Sequence, residues 1–351
     1  MKILTNVNLA PYTSLNCGGP AEVLVIVNSR DELLEYIQNN HVDHILGYGT
    51  NSLISDNGLP GTTLIINSES PEIIISDTII NASAGTWWDD VVNTSIDNDL
   101  WGIELMSGIP SSVGAAICGN IAAYGQSISQ TLVSVEVYNT TTDSVETLEA
   151  DELGFGYRTS NFSRSGFSQF IIVSASFRLT RETADHLDYS SAQHIADEIN
   201  IPPNTLQNRH QIILEARARS GSLYELDATT SQHHSAGSFF KNPIVSEAQV
   251  ESIIEFEEKS SINRSSITKQ NAIHGGRGNR VSAAHVLLAA GFSRGQSWGP
   301  VRLHPEHILK LENTGGATAK QIHDVAHEII TTVQQKLGVT LEPEVKFLGE
   351  F

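Results

Sequence analysis

Apolar residues along the chain follow two rhythms. Short runs dense in Val, Ile and Leu read as strands: "EVLVIV" (22–27), "HILGYG" (44–49), "TLIIN" (63–67), "EIIIS" (72–76) and "TIINASAG" (78–85). Between the first two, "RDELLEYIQ" (30–38) has helical spacing through Leu33, Leu34 and Ile37, and "WWDDVVNTSIDNDL" (87–100) predicts a second helix. "LVSVEVYN" (132–139), "DSVETLEA" (143–150) and "FIIVSASFRLT" (170–180) alternate and are rich in β-branched residues, as strands are. Near residue 190 the pattern turns helical, in "SAQHIADEIN" (191–200) and in "NTLQNRHQIILEARARS" (204–220), the latter opened by Pro202 and Pro203. "SEAQVESIIEFE" (246–257) and "SAAHVLLAAG" (282–291) are helix-like, and the clearest helix is 318–338. There Thr318 and Gln321 make a capping-box pair, Ile322, Val325, Ala326, Ile329 and Val333 form one apolar face, and Gly338 ends it. "VTLEPEVKFLG" (339–349) is expected to close the chain as a strand.

A chain of 351 residues exceeds one simple core, so two or three domains are expected. Hydrophobic content of 40% with 27 glycines suits a compact α/β or α+β protein. Cys17 and Cys118 have no partner at metal-ligand spacing, which argues against a disulfide framework and structural zinc and fits a reducing cytoplasm. The opening "MKILTNVNLAPYTS" lacks the apolar stretch of a secretory signal, and no run is long enough to span a bilayer. A formal charge of −19 weighs against nucleic acid and anionic membranes as partners. It leaves room for a small anionic ligand, which feels only the local field.

Three segments are candidates for chemistry. "LGYGTNSLISDNGLPG" (46–61) follows a strand, but Gly47-x-Gly49 lacks the third glycine of a dinucleotide fingerprint and no helical pattern follows. The segment is either an ordinary turn or an anion nest of backbone amides, to which Thr50, Asn51 and Ser52 add side-chain donors. "GIELMSGIPSSVGAAICGNIAAYGQ" (102–126) is full of small residues, among them Gly108, Ser112, Gly114 and Gly125. They suit a tightly packed helix, or the close approach of backbone to a flat ligand. In "AGSFFKNP" (236–243) Phe239 and Phe240 anchor a stiff loop. Ser238, Lys241 and Asn242 there either face water or hold a hydroxyl at a fixed point.

Taken in order, "SGIPSSVGAA…NIAAYG", "FGYRTSNF" (155–162), "AGSFFKNP" and "LEPEVKF" (341–347) resemble the signatures of the UDP-N-acetylenolpyruvoylglucosamine reductase family, and the similarity runs across nearly the whole chain. The resemblance implies an α+β fold: an FAD-binding fold of the vanillyl-alcohol-oxidase type built from two subdomains, plus a smaller α+β substrate-binding domain. It divides the chain into 1–70, 71–225 with the terminal strand 338–351 returning to it, and 226–337. It also implies noncovalent FAD, NADPH as reductant and UDP-N-acetylglucosamine enolpyruvate as substrate. The residues themselves point to no metal and a cytoplasmic location; they do not set the oligomeric state, for which a monomer is the expectation. On this sequence the family's pyrophosphate loop falls on Gly47, Gly49, Thr50, Asn51 and Ser52. A second flavin-contacting stretch falls on Gly108, Ile109, Ser112, Gly114, Asn120 and Gly125.

The implied reaction assigns roles. Hydride adds to the terminal methylene of the enolpyruvyl group, and charge builds on the adjacent carbon and its carboxylate. A preorganised donor aimed at such charge is worth about 3–4 kcal/mol of barrier. Arg158 matches the family arginine that grips the carboxylate in a two-pronged way. Glu344 matches the catalytic acid, a carboxyl expected to be kept protonated by burial; by composition alone Glu342 is its equal. Ser238 supplies the proton. Tyr189, Arg217, Lys241 and Asn242 are expected on the substrate, with Arg217 on the diphosphate side.

Departures from the family pattern also stand out. Gly119 replaces a common glutamine and Ala122 a common glycine, and alanine takes a positive φ less cheaply. A family lysine falls on Ser220, beside Arg219, and a family glutamine on Ser297, beside Gln296. His304 and His307 are read as solvated loop residues. A flavin oxidase of the same fold commonly tethers its flavin through a His or Cys in the nucleotide loop, which "LGYGTNSLISDNG" lacks. A noncatalytic nucleotide-sugar-binding paralogue is disfavoured by the joint presence of Arg158, Ser238 and Glu344.

Overall fold

A computed structural model describes residues 1–68, 72–164, 167–223, 234–256 and 278–351 of the chain. The end of the expected helix 246–257 lies outside the described residues. Two compact units are formed, and the chain passes between them repeatedly. The first comprises Met1–Val7, Ala21–Tyr48 and Pro60–Leu226, and the second Asn8–Pro20, Gly49–Leu59 and Asp227–Phe351.

The first unit holds two sheets. One has the strand order Lys2–Asn8, Pro20–Val27, Leu59–Ile66, His44–Leu46, with the last two parallel. Helix Arg30–Asn39 follows its second strand; the Ser29 hydroxyl accepts from the Glu32 amide and Asp31 and Glu32 sit in the first turn, where the helix dipole favours them. The other sheet is antiparallel, in the order Ser144–Glu149, Leu132–Asn139, Phe170–Arg178, Ile79–Ser83, Ile73–Ser76. Helices Trp88–Asp97 and Val113–Gly119 bury Trp88, Val91, Val92, Ala116 and Ile117 in one core with Val135, Val137, Val173 and Phe177.

Helices Ser190–Ile199 and Leu206–Arg219 pack through Ala192, Ala196, Ile212 and Ile213, joined by Leu105 and Leu187. Arg209 ties this pair to the chain around it. Its buried guanidinium donates to the equally buried Glu104 carboxylate (3.0 Å) and to the carbonyls of Pro203 (2.8 Å), Ala184 (3.0 Å) and His186 (2.7 Å). It also lies 5.0 Å from the centroid of the Trp101 ring.

The second unit is built on an antiparallel sheet in the order His234–Ser235, Leu311–Asn313, Val301–Leu303, Ser297–Trp298. Helices Glu247–Phe256, Ala283–Ala289 and Ala319–Leu337 share its apolar core. The longest helix realises the capping box read from Thr318 and Gln321 and ends at Gly338 with φ 64°. Asp56 adds a second cap, accepting from the Ala319 and Lys320 amides at 2.8 Å each.

Two expectations need correction, and one strand lies outside them. The strand expected over 339–349 forms only at Lys346–Leu348, because Pro343 has no N–H to give a ladder. That strand does not return to the 71–225 segment: it pairs in parallel with Ser52–Ile54, inside the second unit. Lys2–Asn8, which the sequence reading leaves unassigned, is a strand whose residues are almost all exposed, so no buried face writes an alternating pattern into it.

Replacing Arg209 by Met would leave Glu104 charged and buried without its partner. We expect a loss of about 3–5 kcal/mol in denaturant unfolding, against about 1 kcal/mol for Thr318→Ala, which removes only a helix cap.

Candidate active site

In the second unit the "AGSFFKNP" segment is fixed mainly by its backbone. Phe239 donates its amide to the Leu309 carbonyl (2.8 Å), Glu344 donates to the Phe239 carbonyl (2.8 Å), and Lys241 donates to the Glu342 carbonyl (2.9 Å). Phe240 and Pro343 form an isolated antiparallel bridge. The rings of Phe239 and Phe240 are fully buried, and Phe239 packs 6.1 Å from Phe347. Ser238 and Glu344 are therefore set on one rigid frame, and both side chains are half-buried. Gly237, just before the serine, takes φ 75°, and a Cβ there would meet nothing within 4 Å. The glycine is required by the bend rather than by packing.

The polar residues beyond the phenylalanines divide. The Lys241 ammonium stands 3.7 Å from the Glu342 carboxylate. Asn242 is committed to the fold through its side-chain oxygen, which accepts from the Ala283 amide at 2.9 Å, and its carbonyl accepts from Arg280.

The expected pyrophosphate loop is split between the units. Gly49, Thr50, Asn51 and Ser52 belong to the second. A Cβ on Gly49 (φ 60°) would overlap the Tyr12 carbonyl oxygen, and Ser14 binds the carbonyls of Gly49 (3.3 Å) and Thr50 (3.1 Å). Asn51 donates its side-chain amide to the Glu344 carbonyl (3.2 Å), and its own carbonyl accepts from Lys346 (3.0 Å). Residues 49–52 and the segment 344–346 are thus stitched together within one unit.

Gly47 belongs to the first unit, where a Cβ would come 2.5 Å from the Ser112 hydroxyl oxygen. Ser112 caps helix Val113–Gly119, and Gly114 donates to the Ala84 carbonyl at 2.9 Å, close enough that a Cβ at 114 would press on Ala84. Ile109 packs against the core, and Gly125 (φ 94°) faces open space. Gly47 and Gly114 are therefore set by packing within the unit, and Gly125 alone of these glycines faces open space.

Asn120, at φ 43°, ends the same helix and uses both ends of its amide: it donates to the Gly156 carbonyl (2.9 Å) and accepts from the Ser129 amide (3.1 Å). Gly156 and Thr159 exchange backbone hydrogen bonds around Tyr157 and Arg158. Arg158 sits in that tight turn at φ 52°, a strained setting for a non-glycine residue and one often found at functional positions. Ser160 closes the arrangement by donating to the Cys118 carbonyl (2.9 Å).

A second cluster in the first unit gathers Gly108, Tyr124, Tyr189 and Arg217. Gly108 (φ 68°) donates to the Asp89 carboxylate at 2.6 Å, and a Cβ there would come 3.2 Å from the Arg217 Nε. Arg217 gives one Nη to the Ser222 carbonyl (2.8 Å), while its buried Nε has no hydrogen-bond partner among the described residues. Burial pulls the guanidinium pKa down, and Tyr124 and Asp89 push back. Tyr124 meets Tyr189 edge-on at 5.5 Å, and burial raises the pKa of its phenol. A buried cation with an orphaned donor is the kind of feature that an anionic ligand satisfies.

Sequence reading passed over Tyr124, although a tyrosine directly before Gly125 in a run of small residues was the available signal. Ala122, expected to distort the turn, does not adopt a positive φ; Tyr124 (φ 48°) and Gly125 do so instead. Arg219 is occupied by Glu198 and by Glu215 (2.8 Å), and the Ser220 hydroxyl donates to the Arg217 carbonyl (3.0 Å). Ser297 is exposed, and the Gln296 side-chain oxygen accepts from the Ser293 amide (3.2 Å).

His304 and His307 are not solvated loop residues. Both are half-buried, and burial together with the nearby Lys310 pushes the His307 pKa down to about 4. An imidazole whose folded pKa lies below its unfolded value of about 6.5 gives its full stabilisation above the latter and loses it as pH falls toward the former. The stability of the wild-type protein should therefore fall between about pH 6.5 and about pH 4. In His307→Gln, denaturant unfolding across that window should show a shallower decline.

Comparison with known proteins gives these features a context. The profile of the UDP-N-acetylenolpyruvoylglucosamine reductase C-terminal domain matches residues 229–348, and that of an FAD binding domain matches residues 21–148. A UDP-N-acetylenolpyruvoylglucosamine reductase of Thermobifida fusca is 34% identical over 98% of this chain and 97% of its own. One from Salinispora arenicola is 32% identical over 96% and 93%. The crystal structure of the UDP-N-acetylenolpyruvylglucosamine reductase from Thermus caldophilus superposes with a TM-score of 0.63 at 24% identity, covering 99% of this chain and 100% of that one, and shares its fold.

Proposed function

The chain belongs to the UDP-N-acetylenolpyruvoylglucosamine reductase family, and from that premise we propose that it reduces the enolpyruvyl ether of UDP-N-acetylglucosamine enolpyruvate to UDP-N-acetylmuramate, a peptidoglycan precursor. The observation that carries the assignment of roles is the backbone ladder joining Phe239–Lys241 to Glu342–Glu344, because it fixes a hydroxyl and a carboxyl on one frame.

FAD is the cofactor and NADPH its reductant; when bound, the flavin relays a hydride to the terminal methylene carbon of the substrate. One feature of the first unit fits such a cofactor: Gly125 leaves its backbone open, with nothing within 4 Å of a Cβ placed there. Gly108, Ile109, Ser112, Gly114, Asn120 and Gly125 are the proposed flavin-contacting stretch, and Gly47, Gly49, Thr50, Asn51 and Ser52 are the proposed pyrophosphate loop.

As the carbon–carbon double bond takes up hydride, its electron pair moves to the neighbouring carbon and into the carboxylate. Arg158, held in its strained turn, grips that carboxylate with charge-assisted hydrogen bonds. Glu344 donates a hydrogen bond to the same developing charge. Ser238 delivers its Oγ proton to the carbanionic carbon. Misplacing such a donor by about 1 Å costs on the order of a hundredfold in rate, which gives the stiffness of the phenylalanine frame a purpose. Arg217 and Tyr189 bind the substrate, Arg217 toward its diphosphate, and Lys241 and Asn242 line the nucleotide side. In this reading the enzyme works as a monomer in the cytoplasm. Among the described residues no helix is long and apolar enough to cross a membrane.

The test is anaerobic. Protein reduced with NADPH should have its flavin reoxidised when the enolpyruvyl sugar nucleotide is added; failure to reoxidise would remove the proposed reaction. Ser238→Ala should leave flavin reduction by NADPH within about twofold of wild type and slow reoxidation by about a hundredfold or more. An equal loss in both half-reactions would take the proton-donor role away from Ser238.

A further inference from the structure

The strand Leu311–Asn313 carries a buried charge that the proposed chemistry does not use. The Glu312 side chain is 2% exposed, and Arg302, directly across the ladder, gives one of its oxygens two hydrogen bonds, from Nε (3.1 Å) and Nη2 (2.8 Å). The His304 Nε2 stands 3.5 Å from the other oxygen. His304 accepts the Glu306 amide at Nδ1 (3.0 Å), so its neutral ring carries the proton on Nε2, facing Glu312. Burial lowers the His304 pKa and favours that neutral form.

A buried ion pair is a poor stabiliser compared with apolar residues of the same volume, so its presence calls for a geometric reason. The strand pairing supplies one. Ser235 pairs with Glu312, and Phe239 donates its amide to Leu309. Between these two anchors lie Ala236, Gly237 and Ser238 on one side but only Lys310 and Leu311 on the other. The serine side has one residue too many, and Gly237 absorbs the excess at φ 75°. The extra residue offsets the segment by one beyond the end of the ladder, as a β-bulge does within one, and such an offset re-aims a side chain. Ser238 follows Gly237 in the offset segment, and Glu312 is the residue with which Ser235 pairs where that segment begins.

We propose that Glu312 is a positioning residue for proton delivery: clamped by Arg302 and His304, it fixes the register of Leu311–Asn313 and thereby the aim of Ser238. The inference rests on the proton-donor role of Ser238 given above. A slip of the supporting strand would move the hydroxyl, while the flavin-contacting stretch proposed in the first unit has no bond to that strand among those described.

The two half-reactions test this. In Glu312→Gln, flavin reduction by NADPH should stay within about twofold of wild type, whereas reoxidation by the enolpyruvyl sugar nucleotide should slow at least about tenfold, as expected for a displaced donor. The solvent deuterium isotope effect on reoxidation should rise. Because Glu312→Gln also leaves Arg302 without its carboxylate, at a cost in stability, the double variant Arg302→Met/Glu312→Leu provides an apolar replacement of similar bulk. It should melt within a few degrees of wild type and still reoxidise slowly. Wild-type reoxidation in the double variant, or an equal slowing of both half-reactions in either, would overturn the positioning role. A wild-type protein that is never reoxidised would overturn the underlying reading, and this inference with it.

Discussion

The second unit depends on a short set of backbone hydrogen bonds that hold Phe239, Phe240 and Lys241 between Leu309 and the Glu342–Glu344 segment. Each bond is individually modest, on the order of 1 kcal/mol. Together they specify which residues face which way. Pro343 contributes by what it lacks: with no N–H it cannot extend the strand Lys346–Leu348 backward, and the chain before it is left to pair with the phenylalanine segment. Asn51 completes the connection by bonding the Glu344 carbonyl. The glycine-rich loop, the carboxyl and the serine are therefore features of one unit, although about 190 residues separate Asn51 from Ser238 in sequence.

The first unit solves a different problem, the close approach of backbone segments to one another. Gly47 and Gly114 are small because Ser112 and Ala84 stand where their side chains would go. Asn120 ends one helix and holds the turn that presents Arg158, so a residue expected from resemblance to touch a cofactor also has a plain structural duty. Arg217 is placed at a cost: its guanidinium is buried beside Gly108, and its Nε has no hydrogen-bond partner among the described residues. An anion at that point would repay the desolvation.

Much of this was legible in the sequence, and the limits have physical causes. Strand Leu132–Asn139 and helix Ala319–Leu337 fall where periodicity and capping residues put them, because each buries one face against a core. Lys2–Asn8 escaped because both faces are largely exposed. The offset before Phe239 was invisible, since it is defined by bonds to residues about 70 positions away and no local pattern records a register. Glu312 was hidden for the same reason: only the fold places Arg302 opposite it and His304 beside it. Motif order across the chain reached the family, but the routing of the terminal strand to Ser52–Ile54 is a long-range pairing that no motif encodes.

Native-state hydrogen exchange at the amides of Phe239, Lys241 and Glu344 tests the central constraint most directly. If the frame is as rigid as its bonds imply, all three exchange only through large-scale opening, with protection comparable to Val333 in the core of the long helix. Exchange of these amides at the rate of exposed loop residues would contradict the account, because a serine on a segment that opens freely has no fixed aim.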